Sequence, residues 1–224
     1  MLYKLIIKAV GVVAVVVAVM FTGCDGNSGV DPNKPNNGGN PVVPNNPGNV
    51  DRSTPNVNGS GNYTGREVRI GSQTWMAENL NRNTTDSRCY RDSSSYCEKY
   101  GRLYTYDAAM SACPNGWHLP SEAEWSTLEN YVGGRSTAGT KLKSATYWNG
   151  TDEYGFSALP GGQYIGVGCS GAGSDGAWWK EGINSLGWPS ARIMGSNYEY
   201  VTGMADGTAI GYDASYYSVR CVRN

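Results

Sequence analysis

The chain has 224 residues, with 18 Lys and Arg against 19 Asp and Glu, one His, six Cys, seven Trp, sixteen Tyr and two Phe. A net charge of −1 argues against a nucleic-acid binder, which needs a basic face to displace counterions from phosphate, and a single His excludes a multi-histidine metal site. Thirty-one glycines and a charged fraction of 17% favour a loop-rich, strand-containing fold over a helical bundle.

Residues 1–23 read as a secretory signal. Lys4 and Lys8 precede an apolar run from Ala9 to Phe21, and Phe21-Thr22-Gly23-Cys24 leads at once into polar sequence. The run is shorter than the roughly 20 apolar residues that a spanning helix needs. This end resembles a bacterial lipobox, in which Cys24 is acylated and becomes the new N-terminus, with Phe21 where a branched residue is usual. Two or three acyl chains, at about 0.8 kcal/mol per buried CH₂, anchor stably where one does not. The expected location is the cell envelope, at the outer membrane or the cell surface.

Residues 24–61 read as a tether. The stretch is Asn, Pro, Gly and Ser with a few valines, as in Pro35-Asn36-Asn37-Gly38-Gly39-Asn40-Pro41. It has no apolar period and too little to bury against its ordering entropy. As a flexible coil it would average roughly 30–35 Å end to end, enough to hold a head clear of a lipid surface.

Residues 62–224 form the head, long enough for one core. Export implies an oxidising compartment, where cysteines pair by default. Cys89 and Cys97 bracket a short polar loop and are expected to close it; Cys113 and Cys221 would then tie an early helix to the last strand. Cys169, in Gly168-Cys169-Ser170-Gly171, is left over as a free thiol or a dimer link. Spacing alone does not fix this connectivity.

Glu67–Ile70 and Gln73–Met76 flank Gly71-Ser72 and predict a hairpin. Tyr104 to Cys113 predicts a helix with Tyr106, Ala109, Met110 and Cys113 on its buried face. Ser121 with Glu124 three residues on predicts a capping box, followed by a stripe of Trp125, Leu128 and Val132 and a stop at Gly133-Gly134. Glycine-punctuated aromatic segments follow, and the chain closes on a strand from Tyr217 to Val222. Its alternation sets Val219 and Cys221 against Ser218, Arg220 and Val222. The head is therefore expected to be α+β, with two helices and a mixed, mainly antiparallel sheet.

Gly101-Arg102-Leu103-Tyr104, the run Asp107-Ala108-Ala109-Met110-Ser111-Ala112-Cys113-Pro114-Asn115-Gly116-Trp117-His118-Leu119-Pro120-Ser121, and Glu124-Trp125 resemble the Fibrobacter succinogenes major paralogous domain. So do Lys141-Leu142-Lys143-Ser144, Asn149-Gly150-Thr151-Asp152, Tyr154-Gly155-Phe156-Ser157-Ala158-Leu159-Pro160-Gly161-Gly162 and Ser218-Val219-Arg220-Cys221-Val222. The family is similar to the C-type lectin-like fold and to the sulfatase-modifying-factor domain. The resemblance implies a disulfide-stapled lectin-like head, and it supports Cys113 with Cys221, because lectin-like domains pair a helix cysteine with one on the final strand. It implies a cell-envelope or secreted setting and no particular reaction. Relatives commonly carry Trp-Trp-Ser-Ser-[ST]-Glu where this chain has Trp178-Trp179-Lys180-Glu181-Gly182.

His118 lies between Trp117 and Leu119 in the turn before the second helix, without a local nucleophile and carboxylate to make a triad. Cys169 has no nearby cation to lower its pKa. Asn149, Asp152 and Glu153 cluster inside a turn motif, and the usual lectin calcium triplets are missing, so no metal and no cofactor are expected. The aromatic excess of the C-terminal third (Trp178, Trp179, Trp188, Tyr198, Tyr200, Tyr212, Tyr216 and Tyr217) offers rings that stack on sugars or partner side chains. Trp178, Trp179, Trp188, Tyr198 and Tyr200 are the candidate contacts. The expected function is a lipid-anchored, non-catalytic head that binds polysaccharide or an envelope protein. The alternatives are an enzyme using Cys169 or His118, and a purely structural envelope protein.

Overall fold

A computed structural model describes residues 56–166, 168–205 and 215–224. The signal segment, Cys24, most of the tether and Tyr212 lie outside the described residues. Residues 56–61, assigned above to the tether, belong to the folded head: Val57 joins the core, and Asn56 donates to Asn79 O while accepting from Asn81 N. No described helix is long and apolar enough to cross a membrane.

The predicted hairpin forms as β1 (Glu67–Ile70) and β2 (Gln73–Met76), turning at Gly71 with φ 61°. After β3 (Ser87–Arg88) and a turn of 3₁₀ helix, the loop between Cys89 and Cys97 runs into helix α1 (Ser94–Tyr100). Then come β4 (Leu103–Tyr104), α2 (Tyr106–Ala112), β5 (Trp117–His118), α3 (Glu122–Tyr131) and α4 (Arg135–Leu142). The described residues thus hold four helices rather than two. Both additions evaded periodicity because they are short and polar, and α4 carries Gly139 in its interior.

Thr105 caps α2, and Tyr104 belongs to a strand, so the helix starts later than expected. Ala109 and Ala112 face the core and Met110 is 46% exposed, which corrects its place on the buried stripe. α3 has the reciprocal Ser121–Glu124 capping box, and Trp125, Leu128 and Val132 are fully buried.

The remaining strands are β6 (Gly161–Ile165), β7 (Gly168–Ala172), β8 (Asp175–Ile183), β9 (Pro189–Gly195), β10 (Thr202–Ala205), β11 (Ser215–Ser218) and β12 (Val222–Arg223). They build a four-stranded sheet, β1-β2-β12-β5, and a larger one, β10-β9-β8-β6-β11-β4-β3, with β7 paired to β6. Most pairings are antiparallel; β8 runs parallel to β6 and β11.

Neighbouring residues on these strands divide between two cores. Met76, Trp179 and Cys221 join a cluster with Ala109 and Ala112 of α2. Trp75, Trp178 and Val222 join another with Trp125 and Leu128 of α3 and Ala138 and Leu142 of α4. Side chains alternate across a strand, and here helices cover both sides, so alternation no longer separates buried from exposed. The same cause accounts for the terminal segment: Ser218, Arg220 and Val222 are as buried as Val219 and Cys221.

Cys113, at the C-cap of α2, is bonded to Cys221 with Cα atoms 6.0 Å apart, and Cys89 is bonded to Cys97 at 5.1 Å. Loop closure across 108 residues contributes about 4.7 kcal/mol in the chain-entropy model. Cys169 is also disulfide-bonded, so the reading of a free thiol there is corrected.

Candidate functional site

Trp178 and Trp179 are 0% exposed, and this corrects their assignment as contacts. Adjacent on β8, they point to opposite faces, and each face is covered. Trp178 packs at 6.5 Å from Trp125 and 6.4 Å from Trp148; Trp179 packs at 4.4 Å from Tyr217 and 5.4 Å from Tyr106. Their indole N–H groups donate to Asn79 Oδ1 and Tyr104 O. Trp188 is half-buried at the β8–β9 turn, where its backbone N–H donates to Asn184 Oδ1.

Tyr198 and Tyr200 do reach solvent, at 49% and 42% exposure. Their rings lie 4.9 Å apart, tilted by 32°, and present a continuous aromatic surface. The segment that carries them, between β9 and β10, is held at several points. Thr140 N donates to Glu199 O at 3.0 Å, Val201 N to Arg135 O at 3.0 Å, and Arg135 Nε to Val201 O at 2.8 Å. Ser196 is fixed by Trp148 Nε1 at 2.8 Å and by its own bond to Ser174 O.

The central brace is Lys143. Its ammonium is buried beneath the segment and donates to Gly195 O at 3.0 Å and Tyr198 O at 2.9 Å, with the Trp148 ring centroid 5.5 Å away. Burial pulls its pKa down, and the Glu199 carboxylate partly offsets this. Gly139 of α4 completes the fit: a Cβ there would stand 2.6 Å from Tyr200 O and 2.7 Å from Glu199 O. Neither residue was singled out from sequence, although Lys143 lies in one of the quoted motifs. A basic residue between Leu142 and Ser144, two positions after Lys141, reads as solvated surface until the carbonyls it serves are known.

His118 is engaged at both ring nitrogens, by Glu124 Oε1 at 2.7 Å and Asn224 Oδ1 at 2.6 Å. Ser121 Oγ donates to Glu124 Oε2. The order is serine–carboxylate–imidazole, so the ring does not face the hydroxyl it would have to deprotonate. Burial opposes a charged ring, but the bonds to Asn224 and Glu124 and the carboxylates of Glu124 and Glu181 outweigh it, and the pKa rises above 6.5. Cys169 pairs across the β6–β7 hairpin with Tyr164. Asp152 accepts from the Ser157 backbone N–H and hydroxyl, and Glu153 from Thr151 Oγ1, so these carboxylates serve a turn. Among the described residues no three His, Cys, Asp or Glu side chains are grouped to hold a metal ion.

A second polar locus was not anticipated. Arg192, 3% exposed, donates through Nε to Glu129 Oε1 at 2.7 Å and through Nη2 to Glu122 Oε1, while Lys180 Nζ stands 3.4 Å from Glu122 Oε2. Sequence alternation puts Lys180 on the face of Trp178, but only the α3 cover shows that this face is interior.

Residues 68–223 match the Fibrobacter succinogenes major domain. The chain belongs to that family. Comparisons with curated proteins and with solved structures give no match. The family domain spans β1 to β12 and so includes both the tyrosine pair and its braces.

Proposed function

We propose that the protein is an exported lipoprotein of the cell envelope whose non-catalytic head binds polysaccharide through Tyr198 and Tyr200. The exposed, stacked tyrosine pair on a braced segment carries this reading. Rigid aromatic rings give large contact area at low entropy cost, and loops on rigid scaffolds hold binding functions. The Cys113–Cys221 staple between α2 and the C-terminal strands supports a C-type lectin-like description of the α+β head. The described disulfides suit an oxidising compartment, and Lys4, Lys8, the apolar run and Cys24 support delivery and anchoring there, at the outer membrane or cell surface. The occupied nitrogens of His118 favour a binding role over a catalytic one.

Retention of the full chain on insoluble envelope polysaccharides tests the binding. The parent should be retained and the Tyr198→Ala/Tyr200→Ala variant released at unchanged melting temperature. Equal retention of the two, or capture by an envelope protein alone, overturns the polysaccharide reading. For the anchor, Cys24→Ser should move the protein from the membrane to the soluble fraction.

A further inference from the structure

β8 and β9 set Lys180 opposite Ser190 and Trp178 opposite Arg192. Residues opposite one another, or two apart along a strand, project to the same side. Lys180, Ser190 and Arg192 therefore share the face on which Trp178 is sealed against α3. Beside them the face opens into a cleft of 390 Å³, bordered also by Glu122, Ile183 and Gly203, at the small end of the range for small-molecule sites.

Interior polar groups are normally paired. Ser190, 7% exposed, has a buried hydroxyl with no hydrogen-bond partner. Lys180, 8% exposed, has three donor protons and a single ionic partner among the described residues, Glu122. Arg192 uses Nε and Nη2 on Glu129 and Glu122, and Arg135 uses Nε on Val201 O; Nη1 of Arg192 and Nη2 of Arg135 have no partner among the described residues. A Cβ at Gly203 would lie 3.2 Å from that Nη1 and 3.1 Å from that Nη2. Both guanidinium edges thus converge where this glycine leaves space.

The charges narrow the ligand class. Lys180, Arg192 and Arg135 face Glu122 and Glu129, an excess of one positive charge. Burial opposes ionisation of Glu122, but Arg192 and Lys180 outweigh it and hold its carboxyl below the ordinary range, so it is an anion at neutral pH. Half-exposed at the mouth, it accepts hydrogen bonds from hydroxyls and repels a second anionic charge. We propose that the cleft binds a hexuronate residue, with the sugar carboxylate on Lys180, Ser190 and Arg192 and ring hydroxyls on Glu122. Ile183, exposed on the rim, offers an apolar edge to the C–H face of the ring. The ligand class rests on the polysaccharide reading, but the residues differ from the tyrosine pair, so the two separate experimentally.

Saturation-transfer NMR on the full chain tests the assignment, with glucuronate, glucose, acetate and inorganic phosphate as probes. Glucuronate should bind saturably, and the other three at least about tenfold more weakly. Lys180→Gln and Ser190→Ala should each weaken glucuronate by about tenfold, while Tyr198→Ala/Tyr200→Ala leaves it unchanged. Ser190→Ala removes an unpaired buried hydroxyl, so its melting temperature should hold or rise, and its binding loss is then not a folding loss. The cleft assignment is overturned by no saturable glucuronate signal on the folded parent, by equal affinity in the Lys180 and Ser190 variants, or by loss only in the tyrosine variant. Acetate or phosphate binding as tightly as glucuronate overturns the sugar carboxylate.

Discussion

The indole N–H of Trp178 donates to Asn79 Oδ1 at 2.9 Å, joining residues 99 apart in the chain. The same oxygen accepts from Arg220 Nη2 at 2.9 Å, and the Asn79 amide nitrogen donates to Tyr100 O at 2.8 Å. Asn79 is buried, and so is Arg220, which also reaches Phe156 O and Ser157 O. Trp178 is therefore a structural residue anchored to a polar hub.

Trp178→Ala should cost about 3–5 kcal/mol through the cavity it leaves. Asn79→Ala should cost about 3 kcal/mol or more, because it strips an acceptor from a buried guanidinium. Chemical denaturation reads both. A Trp178→Ala protein of parental stability that has lost binding would restore the surface role that burial denies it.

Gly139→Ala separates helix propensity from packing. Alanine in a helix interior is favoured over glycine by about 1 kcal/mol, yet here the added methyl meets two backbone carbonyls of the tyrosine segment. The expected outcome is a lower melting temperature, by about 1–3 kcal/mol of stability, together with weakened polysaccharide retention. A stabilised variant with parental retention would show that the segment does not rest on α4.

Lys143→Met keeps the length of the side chain and removes both bonds to the segment. It should loosen residues 195–200, measured as faster amide exchange there, with the Cys113–Cys221 region unchanged. Uniform exchange across the head would mean that Lys143 is not a local brace.

The His118–Glu124 pair predicts a pH dependence. The folded pKa of His118 is raised, so the stability it contributes is complete below 6.5 and is lost as pH rises through the folded value. Burial raises the pKa of Glu124, but its bonds from Ser121 and His118 prevail and lower it, so its contribution is complete above 4.5 and is lost as pH falls through the folded value. The pair is at full strength between these limits. Melting temperatures at about pH 5.5 and about pH 8.5 should differ more in the parent than in His118→Gln. An identical difference in both would remove the pair as the cause.

Much of the head could be read from residues whose local chemistry decides their conformation. Gly71-Ser72 turns a hairpin wherever its flanks can pair, and Ser121 with Glu124 caps a helix without help from the rest of the chain. Trp178 and Trp179 show the limit. Exposure depends on what covers a strand, and a short, polar, glycine-containing α4 gives no periodic signal of the cover it provides. The tyrosines at 198 and 200 were legible because a turn leaves them outside either core. Lys143, Gly139 and the Lys180–Ser190 pair act through backbone and cross-strand partners 10 to 61 residues away, and no short window contains both ends.

The most direct measurement of the central claim is a titration of the full chain with soluble envelope oligosaccharides, followed through the ring resonances of tyrosine-labelled protein. The account predicts saturable shifts at Tyr198 and Tyr200, with the buried rings of Tyr104 and Tyr217 unmoved. Oligosaccharide binding that leaves both exposed tyrosines unshifted, or no binding at all, would contradict it.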